Sequence, residues 1–436
     1  MRITWLAHLR RMICLGIASV IIGLAALVLV FCIPVGAMGR HVGGTADRML
    51  EDAVPADTWM GRLLKDRETY TDAIMVQNAI EKIDGKNVFE HAMWVYHLDL
   101  DENVWTPEVS LRYLAGGGDK SVMHLQQYSR YWHGYLVYLK PLLLLFTWEQ
   151  TVWLGAVLQI CLLAAVLAAA VKTGVPRAGA AVVAGLIFMK PVLIHVSLAM
   201  GVCWVITLGA LLFILLKDKK LEQRDAYPEF FCMIGILVAY FDFLTYPAVT
   251  LGFPLCVYFL KKEEDGPWKN VAEVISYSVC WGLGYVGMWS MKWVIADITL
   301  GTGTIKSALG SILGWTEAIG GRPRLSGALY TISLNLQKYE SWLYPVLAAL
   351  LLAAAAAAAI YAARKASPAR ALSCMPPYLL IACIPFAWYT VVQHHSGLHV
   401  WFTFRVVGVT AMALGAMCLK LFRLGRESCR NKLSQL

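Results

Sequence analysis

Long apolar stretches recur along this chain, with short polar connectors between them. Of its 436 residues, 58% are hydrophobic and only 15% are charged. A water-soluble domain cannot bury so much apolar surface, so the pattern predicts an all-α membrane protein with about ten transmembrane helices. Several stretches fall short of the ~20 residues that a simple span needs. The predicted spans are 13–37, 150–171, 178–193, 198–216, 229–245, 247–260, 272–295, 343–363, 375–392 and 400–419.

Basic residues are distributed unevenly among the connectors. Every second connector is rich in Lys and Arg, and six of them (1–12, 172–177, 217–227, 261–270, 364–372 and 420–436) hold 20 of the 38. Cytoplasmic loops carry this excess, so the sequence predicts a multi-pass cell-membrane protein, of bacterial plasma-membrane type, with both termini cytoplasmic. Because the basic residues lie in short loops, the net charge of +9 does not indicate nucleic acid as a partner.

Two longer polar segments, 39–133 and 296–341, then lie outside the cytoplasm. Apolar residues recur at helical spacing within 76–83, which predicts amphipathic helices on the membrane surface in this first extracytoplasmic loop. The apolar stretch 134–146 is too short to span and is expected at the interface. We therefore expect one polytopic membrane domain, 1–436, without an independent outer domain. None of the eleven cysteines lies in the two polar segments, which argues against a disulfide framework.

Asp72 is the candidate catalytic residue of the first outer segment. It follows Tyr70 and precedes Gln77 and Asn78, in a stretch rich in aromatic and amide side chains. A carboxylate at the outer mouth of a helical bundle suits a general base acting on a substrate made of lipid and polar headgroup. The alternative is an exposed acidic residue on a surface helix.

The end of the same segment combines aromatic and cationic side chains. Arg130, Tyr131 and His133 stand within 129–135, and this combination suits stacking on a sugar and binding of a phosphate. An interfacial aromatic belt with an Arg that extends to the headgroups is the alternative.

Three ionisable residues fall inside or at the end of predicted spans: Lys190, Lys292 and Asp242. A charge in this position is costly and usually faces a cavity or a partner, so all three are candidates for substrate binding. The alternatives are extension of each lysine to the outer interface, and a helix-end role for Asp242 paired with one of the lysines.

The late connector 393–405 is the densest polar cluster among the last spans. It holds His394, His395, His399 and Arg405, and we interpret the cluster as a phosphate- or diphosphate-binding site. Zinc needs a third ligand, and none lies nearby in the sequence. No cofactor is required by these residues, and a divalent metal stays open, as does a purely interfacial structure.

The order of these features resembles the GT-C superfamily of membrane glycosyltransferases, which use polyprenyl-phosphate sugars. In that superfamily the first outer loop carries the acidic catalytic residue, and Asp72 holds that place. A polar-aromatic motif then opens a juxtamembrane helix, where 133–146 stands here. Glu149 and Trp153 lead into the next span, and 172–177 matches the tight inner turn of the superfamily.

A second set of motifs is similar to a poorly characterised bacterial branch of that superfamily. It comprises Asp-Phe-Leu-Thr-Tyr-Pro at 242–247 and the late His-rich loop. Two positions depart from the superfamily. Thr71 precedes Asp72 where a second acidic residue is frequent, and 197–200 has no acidic residue. Both departures bear on metal use.

The resemblance implies transfer of a sugar from a polyprenyl-phosphate donor to a glycan, lipid or protein acceptor of the cell envelope, at the outer face of the membrane. Asp72 would be the general base, and the cationic residues named above would bind the phosphate while membrane lipids surround the donor tail. The rival interpretation is a transporter or flippase for a lipid-linked or amphiphilic substrate. Transporters usually contain internal repeats with broken helices at the midplane, and the sequence contains no clear repeat.

Overall fold

The computed structural model describes residues 4–50, 67–101, 106–262 and 266–433. Most of this part is helical. Six helices within it are long and apolar enough to cross a membrane. The chain is therefore a helical, multi-pass membrane protein, as the sequence predicts, whereas the count of ten spans stays a prediction.

The first half of the chain holds a long first helix, the elements of the first outer segment and four further helices. Before the second long helix these are α1 (Trp5–Phe31), α2 (Val35–Val42), α3 (Thr45–Leu50), α4 (Tyr70–Ile80), α5 (Val88–Trp94), β1 (Tyr96–Asp99), α6 (Pro107–Ala115), β2 (His124–Gln127) and α7 (Leu136–Leu145). The next are α8 (Trp148–Lys172), α9 (Pro176–Phe188), α10 (Pro191–His195) and α11 (Leu198–Gln223).

The second half is built of helices with two short 3-10 turns, and a third 3-10 turn lies in the first half. The helices are α12 (Tyr227–Phe241), α13 (Val249–Lys261), α14 (Pro267–Leu300), α15 (Thr304–Thr316), α16 (Arg324–Gln337), α17 (Leu343–Lys365), α18 (Pro368–Cys374), α19 (Pro376–Ala382), α20 (Ile384–Val391), α21 (Gln393–Leu398), α22 (Val400–Thr403) and α23 (Val407–Leu433). The 3-10 turns are Lys120–Val122, Ile319–Gly321 and Phe404–Val406.

Several span boundaries differ from those read off the sequence. Helix α1 occupies Trp5–Phe31 instead of 13–37, because Pro34 disfavours a helical conformation in the residue before it. The predicted span 375–392 is divided between α19, which begins at Pro376, and α20, where Pro385 lacks the backbone N–H that a continuous helix would use. Proline positions thus explain where these helices begin and end.

Glycines allow α12 and α14 to pack closely. A Cβ atom at Gly235 of α12 would lie 2.0 Å from the Trp281 carbonyl oxygen, and one at Gly284 of α14 would lie 2.1 Å from the Cys232 carbonyl oxygen. Small residues that bring backbones together are a common device for packing helices inside membranes, where apolar side chains gain little by leaving lipid.

The first outer segment is packed against the bundle instead of lying on its surface. Nine of the eleven residues of α4 are buried, which differs from the amphipathic surface helix expected from the sequence. The helix contacts α2, α6, α7, α11 and β1. Strands β1 and β2 pair antiparallel with Tyr96 opposite Gln127 and cover one side of α4. Residues 70–80 are thus positioned by contacts from distant parts of the chain.

Candidate functional site

An aromatic cavity of about 200 Å³ lies where the first outer segment meets the late His-rich loop. Five of the residues selected from the sequence line it: Tyr70, Arg130, Tyr131, His395 and His399. The other lining residues are Thr71, Ile74, Tyr128, Phe243, Thr245, Trp401 and Phe402. Four segments remote in sequence therefore contribute to one cavity.

Stacked aromatic rings form the walls of the aromatic cavity. Tyr128 stacks on Phe243 with 5.9 Å between ring centroids, and Tyr131 stacks on Trp289 at 5.8 Å. The indole N–H groups of Trp289 and Trp293 both donate to the Arg130 carbonyl oxygen, at 2.7 and 2.8 Å. The backbone of Arg130 is therefore fixed by α14, while its side chain lines the cavity.

The two cavity histidines are neighbours on α21 and its C-terminal end. The ring centroids of His395 and His399 lie 4.7 Å apart. Desolvation by burial lowers the pKa of His395 to about 3 and that of His399 to about 4. Both imidazoles are therefore neutral at pH 7, which weakens the interpretation of this pair as a cationic phosphate site.

Asp242 lies beside the aromatic cavity and organises the turn that leads into it. Its carboxylate accepts hydrogen bonds from the backbone N–H and the hydroxyl of Thr245. Within the turn, Leu244 has a φ of +67°, a left-handed conformation that a leucine rarely adopts. The Leu244 carbonyl oxygen then lies 3.0 Å from Nε2 of His395. Asp242 thus acts on the cavity through His395.

His133 supports the cavity wall from behind. Its Nε2–H donates to the Tyr128 carbonyl oxygen at 2.6 Å, and Nδ1 lies 3.1 Å from the Tyr135 hydroxyl. Burial lowers the pKa of His133 well below its usual value. The role consistent with this geometry is to hold Tyr128, which lines the cavity.

Asp72 is fully buried, with its carboxylate at the N-terminus of α11. The four donors are the Ser197 hydroxyl and the Ala199 amide to Oδ1, and the Leu198 amide and the Trp148 indole to Oδ2, at 3.0 to 3.2 Å. Burial raises the pKa of Asp72, and the four donors oppose that rise. A carboxylate has about four acceptor positions, so all are occupied. The role of Asp72 as general base stays a prediction, and it would require one donor to leave.

Glu68 is a functional candidate that the sequence did not single out. Its Oε1 accepts a hydrogen bond from the backbone N–H of Thr71, a cavity residue, at 2.6 Å. Burial raises the pKa of Glu68 to about 7, the Thr71 hydrogen bonds lower it, and the charges of Asp72 and Arg405 act in opposite directions. Acidic residues are frequent throughout 39–133, so Glu68 does not stand out in the sequence. The only sequence feature that could have identified it is its position three residues before Thr71.

Arg405 and Lys190 share one aromatic ring near this carboxylate pair. The guanidinium carbon of Arg405 lies 4.7 Å from the Phe404 ring centroid, and Nζ of Lys190 lies 5.4 Å from it. Arg405 is completely buried and donates from Nη1 to the Trp401 carbonyl oxygen at 2.6 Å. Both cations therefore contact the Phe404 ring, and Arg405 is buried in the protein interior.

Two other residues selected from the sequence lie away from the cavity. Lys292 is completely buried and donates to the Ala92 carbonyl oxygen at 2.8 Å, so it joins α14 to α5. His394 is half-buried and does not line the cavity. The sequence placed both with the phosphate-binding cations, and the geometry favours a structural role for Lys292.

An apolar groove of about 530 Å³ lies between α7, α8, α11 and the end of α12. Leu158, Val202, Val205 and Ile206 are typical of its lining. Two short segments connect the groove to the aromatic cavity. Ser197 and Leu198, which donate to Asp72, line the groove, whereas Thr71, the residue before Asp72, lines the cavity.

The second connecting segment is the turn after α12. Phe241 lines the apolar groove, and Phe243 and Thr245 line the aromatic cavity. Asp242, which organises this turn, therefore stands between the two. Within the described residues, no three His, Cys, Asp or Glu side chains come together as a metal site. The carbonyl-bonded His395 and its neighbour His399 would supply at most two ligands.

Comparisons with protein-family models, with curated proteins and with solved structures find no match to this chain. The functional interpretation therefore depends on the geometry described above and on the resemblance of motifs.

Proposed function

We propose that this protein is a membrane glycosyltransferase that moves a sugar from a polyprenyl-phosphate donor to an acceptor in the cell envelope. The observation that carries the proposal is the pair of adjoining cavities. An aromatic cavity with a few polar groups suits a sugar, and an apolar groove between helices suits a prenyl chain. A lipid-linked sugar contains both a sugar ring and a prenyl chain, so one molecule could occupy the two cavities.

The orientation belongs to the same proposal. Ten spans with both termini in the cytoplasm place 39–133 and 393–399 outside, so the aromatic cavity opens on the outer face. The lipid tail then stays in the bilayer while the sugar enters the cavity. Arg130, the cationic residue of the cavity lining, would bind the donor phosphate.

The transfer itself is an inverting displacement. The acceptor oxygen forms a bond to the anomeric carbon, the bond from that carbon to the phosphate oxygen breaks, and the electron pair leaves with the polyprenyl phosphate. The acceptor proton goes to a carboxylate.

Glu68 suits the proton acceptor, because its pKa of about 7 is close to the pH at which such a base works and it is bonded to the cavity wall. Asp72 as the base remains the competing assignment, so matched Glu68→Gln and Asp72→Asn variants in the same assay would compare them.

The test uses the full chain reconstituted in lipid vesicles. The probes are synthetic undecaprenyl-phosphate hexoses and pentoses, with a crude envelope extract as acceptor, and mass spectrometry follows the release of undecaprenyl phosphate. We expect release by the wild type and at least tenfold slower release by Arg130→Ala, which corresponds to a loss of about 1.4 kcal/mol or more.

Arg112→Ala is the matched control, because Arg112 is exposed, pairs with Asp47 and does not line the cavity. Its rate should equal that of the wild type. Movement of an intact donor across the vesicle membrane without release of undecaprenyl phosphate would contradict the transferase proposal and favour a flippase.

A further inference from the structure

His395 faces the aromatic cavity in one defined tautomer. Its Nε2 lies 3.0 Å from the Leu244 carbonyl oxygen, and the ring is only 3% exposed. A carbonyl oxygen can only accept, so Nε2 carries the hydrogen and Nδ1 carries the lone pair. Within the described residues Nδ1 has no hydrogen-bond partner. A buried acceptor without a partner is costly, which points to a ligand that supplies a donor.

The turn that fixes this tautomer is itself held in place. Asp242 binds both donors of Thr245, and Leu244 between them adopts a left-handed conformation. Backbone strain of this kind persists only where the surroundings enforce it, and it is concentrated at functional sites. The strained turn aims one carbonyl at His395, and Nδ1 of this cavity-lining residue stays without a partner among the described residues.

The rest of the cavity selects a small ring. Its volume of about 200 Å³ is below the ~300–1,000 Å³ of pockets that enclose drug-sized ligands. Tyr128, Tyr131 and Phe402 supply aromatic faces for an apolar ring surface. A pyranose has such a surface, with hydroxyl groups at its edge that donate hydrogen bonds.

We propose that His395 accepts, through Nδ1, a hydrogen bond from a ring hydroxyl of a single monosaccharide bound in the aromatic cavity. The inference rests on the proposed function only in identifying the hydroxyl-bearing ring as a sugar. It assigns His395 to sugar binding instead of the phosphate binding expected from the sequence, and it makes Asp242 a positioning residue for that histidine.

The protonation of the histidines agrees with this assignment. Burial lowers the pKa of His395 to about 3, with His399 and His394 as the neighbouring titratable groups. A neutral imidazole with a fixed Nε2–H offers an acceptor to a hydroxyl. A protonated imidazole would offer two donors to an anion.

The experiment combines two measurements on the full chain in detergent. Nitrogen-15 NMR of histidine-labelled protein reports the tautomer of His395 with and without methyl glycosides of common hexoses. Saturation-transfer NMR reports binding of the same glycosides to the wild type, His395→Phe, His395→Asn and the control His394→Phe. Inorganic phosphate is the rival probe. Thermal unfolding verifies that each variant is folded.

We expect an Nε2–H tautomer at pH 7 whose Nδ1 resonance shifts when one of the glycosides binds. Affinity should fall about tenfold in His395→Phe and remain unchanged in His394→Phe. The His395→Asn variant, which retains a side-chain acceptor, should lose less glycoside affinity than His395→Phe. Phosphate, which the proposed function places at Arg130, should leave the Nδ1 resonance of His395 unshifted.

A protonated or Nδ1–H ring in the wild type, equal glycoside binding by folded His395→Phe, or a shift of the His395 Nδ1 resonance by phosphate would each overturn the inference. The wild-type spectrum decides the question even where a variant fails to fold. Glycoside binding without donor turnover would leave the inference standing and overturn the transferase. Donor turnover by the wild type, together with equal glycoside binding by His395→Phe, would support the transferase and overturn the inference about His395.

Discussion

At the scale of single residues, the buried carboxylates of Asp72 and Glu68 differ in the hydrogen bonds that they accept. Asp72 has all its acceptor positions filled by donors from α8 and the N-terminus of α11, whereas Glu68 accepts hydrogen bonds from Thr71. From the sequence alone, Asp72→Asn is expected to remove activity without affecting the fold. The buried hydrogen bonds to Asp72 lead us to expect that this substitution also destabilises the fold.

We predict that Asp72→Asn lowers the free energy of unfolding by about 1.5–3 kcal/mol, the contribution of hydrogen bonds to a buried charged group. An Asn side chain would turn an NH₂ group toward donors that need an acceptor. Thermal unfolding in detergent measures the change. Asp84→Asn is the control, because Asp84 is exposed. Equal melting of Asp72→Asn and the wild type would contradict a role in holding α11.

Glu68 predicts a pH dependence of stability. Its pKa is raised from 4.5 to about 7, so its contribution is fully present below pH 4.5 and is lost as the pH rises through about 7. The loss between those values reaches about 3 kcal/mol. Relative to Glu68→Gln, which carries no charge, the wild type should therefore be more stable at pH 5 than at pH 8. A stability difference independent of pH would show that Glu68 titrates normally.

At the scale of elements, helix contacts that the sequence does not reveal determine the packing. The apolar stretches predict the six helices that are long and apolar enough to cross a membrane, whereas the count of ten spans stays a prediction. The burial of α4 could not be predicted, because a helix enclosed by α2, α6, α7 and α11 owes that burial to residues far along the chain. The β1–β2 pair was missed for the same reason, since each strand has only four residues.

The contact between α12 and α14 gives a prediction for helix packing. Gly284→Ala should destabilise the protein by about 1–3 kcal/mol, because its Cβ would meet the Cys232 carbonyl oxygen at 2.1 Å. Gly282→Ala on the same helix should be neutral or stabilising, because no other atom lies within 4 Å of its Cβ and alanine favours a helix. Thermal unfolding of the two variants compares them directly, and equal effects would argue against close packing here.

At the scale of the whole molecule, the site is a convergence of four segments. The sequence predicted that Tyr70, Arg130, Tyr131, His395 and His399 are functional, because polar and aromatic residues are dense around each of them, and the structure brings these five to one cavity. The sequence could not predict which of the selected cations do not line the aromatic cavity. The Lys292 ammonium is bonded to the backbone of α5, and this contact spans 200 residues.

Charged groups at the other end of the bundle join its helices. Arg11 of α1 pairs with Glu229 of α12, whose carboxylate also lies 2.9 Å from Nδ1 of His8, and Lys262 pairs with Glu273 of α14. These residues lie in or beside the basic connectors that the sequence assigns to the cytoplasm. The candidate site and these ion pairs thus occupy different parts of the molecule.

The most direct test of the central claim is the position of a bound lipid-linked sugar. We would determine the structure by cryo-electron microscopy in nanodiscs with a non-hydrolysable undecaprenyl-phosphonate analogue of a hexose donor. The account predicts ring density between Tyr131 and His395, phosphonate density at Arg130 and chain density along the groove of α7, α8 and α11. A second apolar groove of about 510 Å³ between α1, α12 and α14 is the internal control. Chain density in that second groove, with no ring density in the aromatic cavity, would contradict the account.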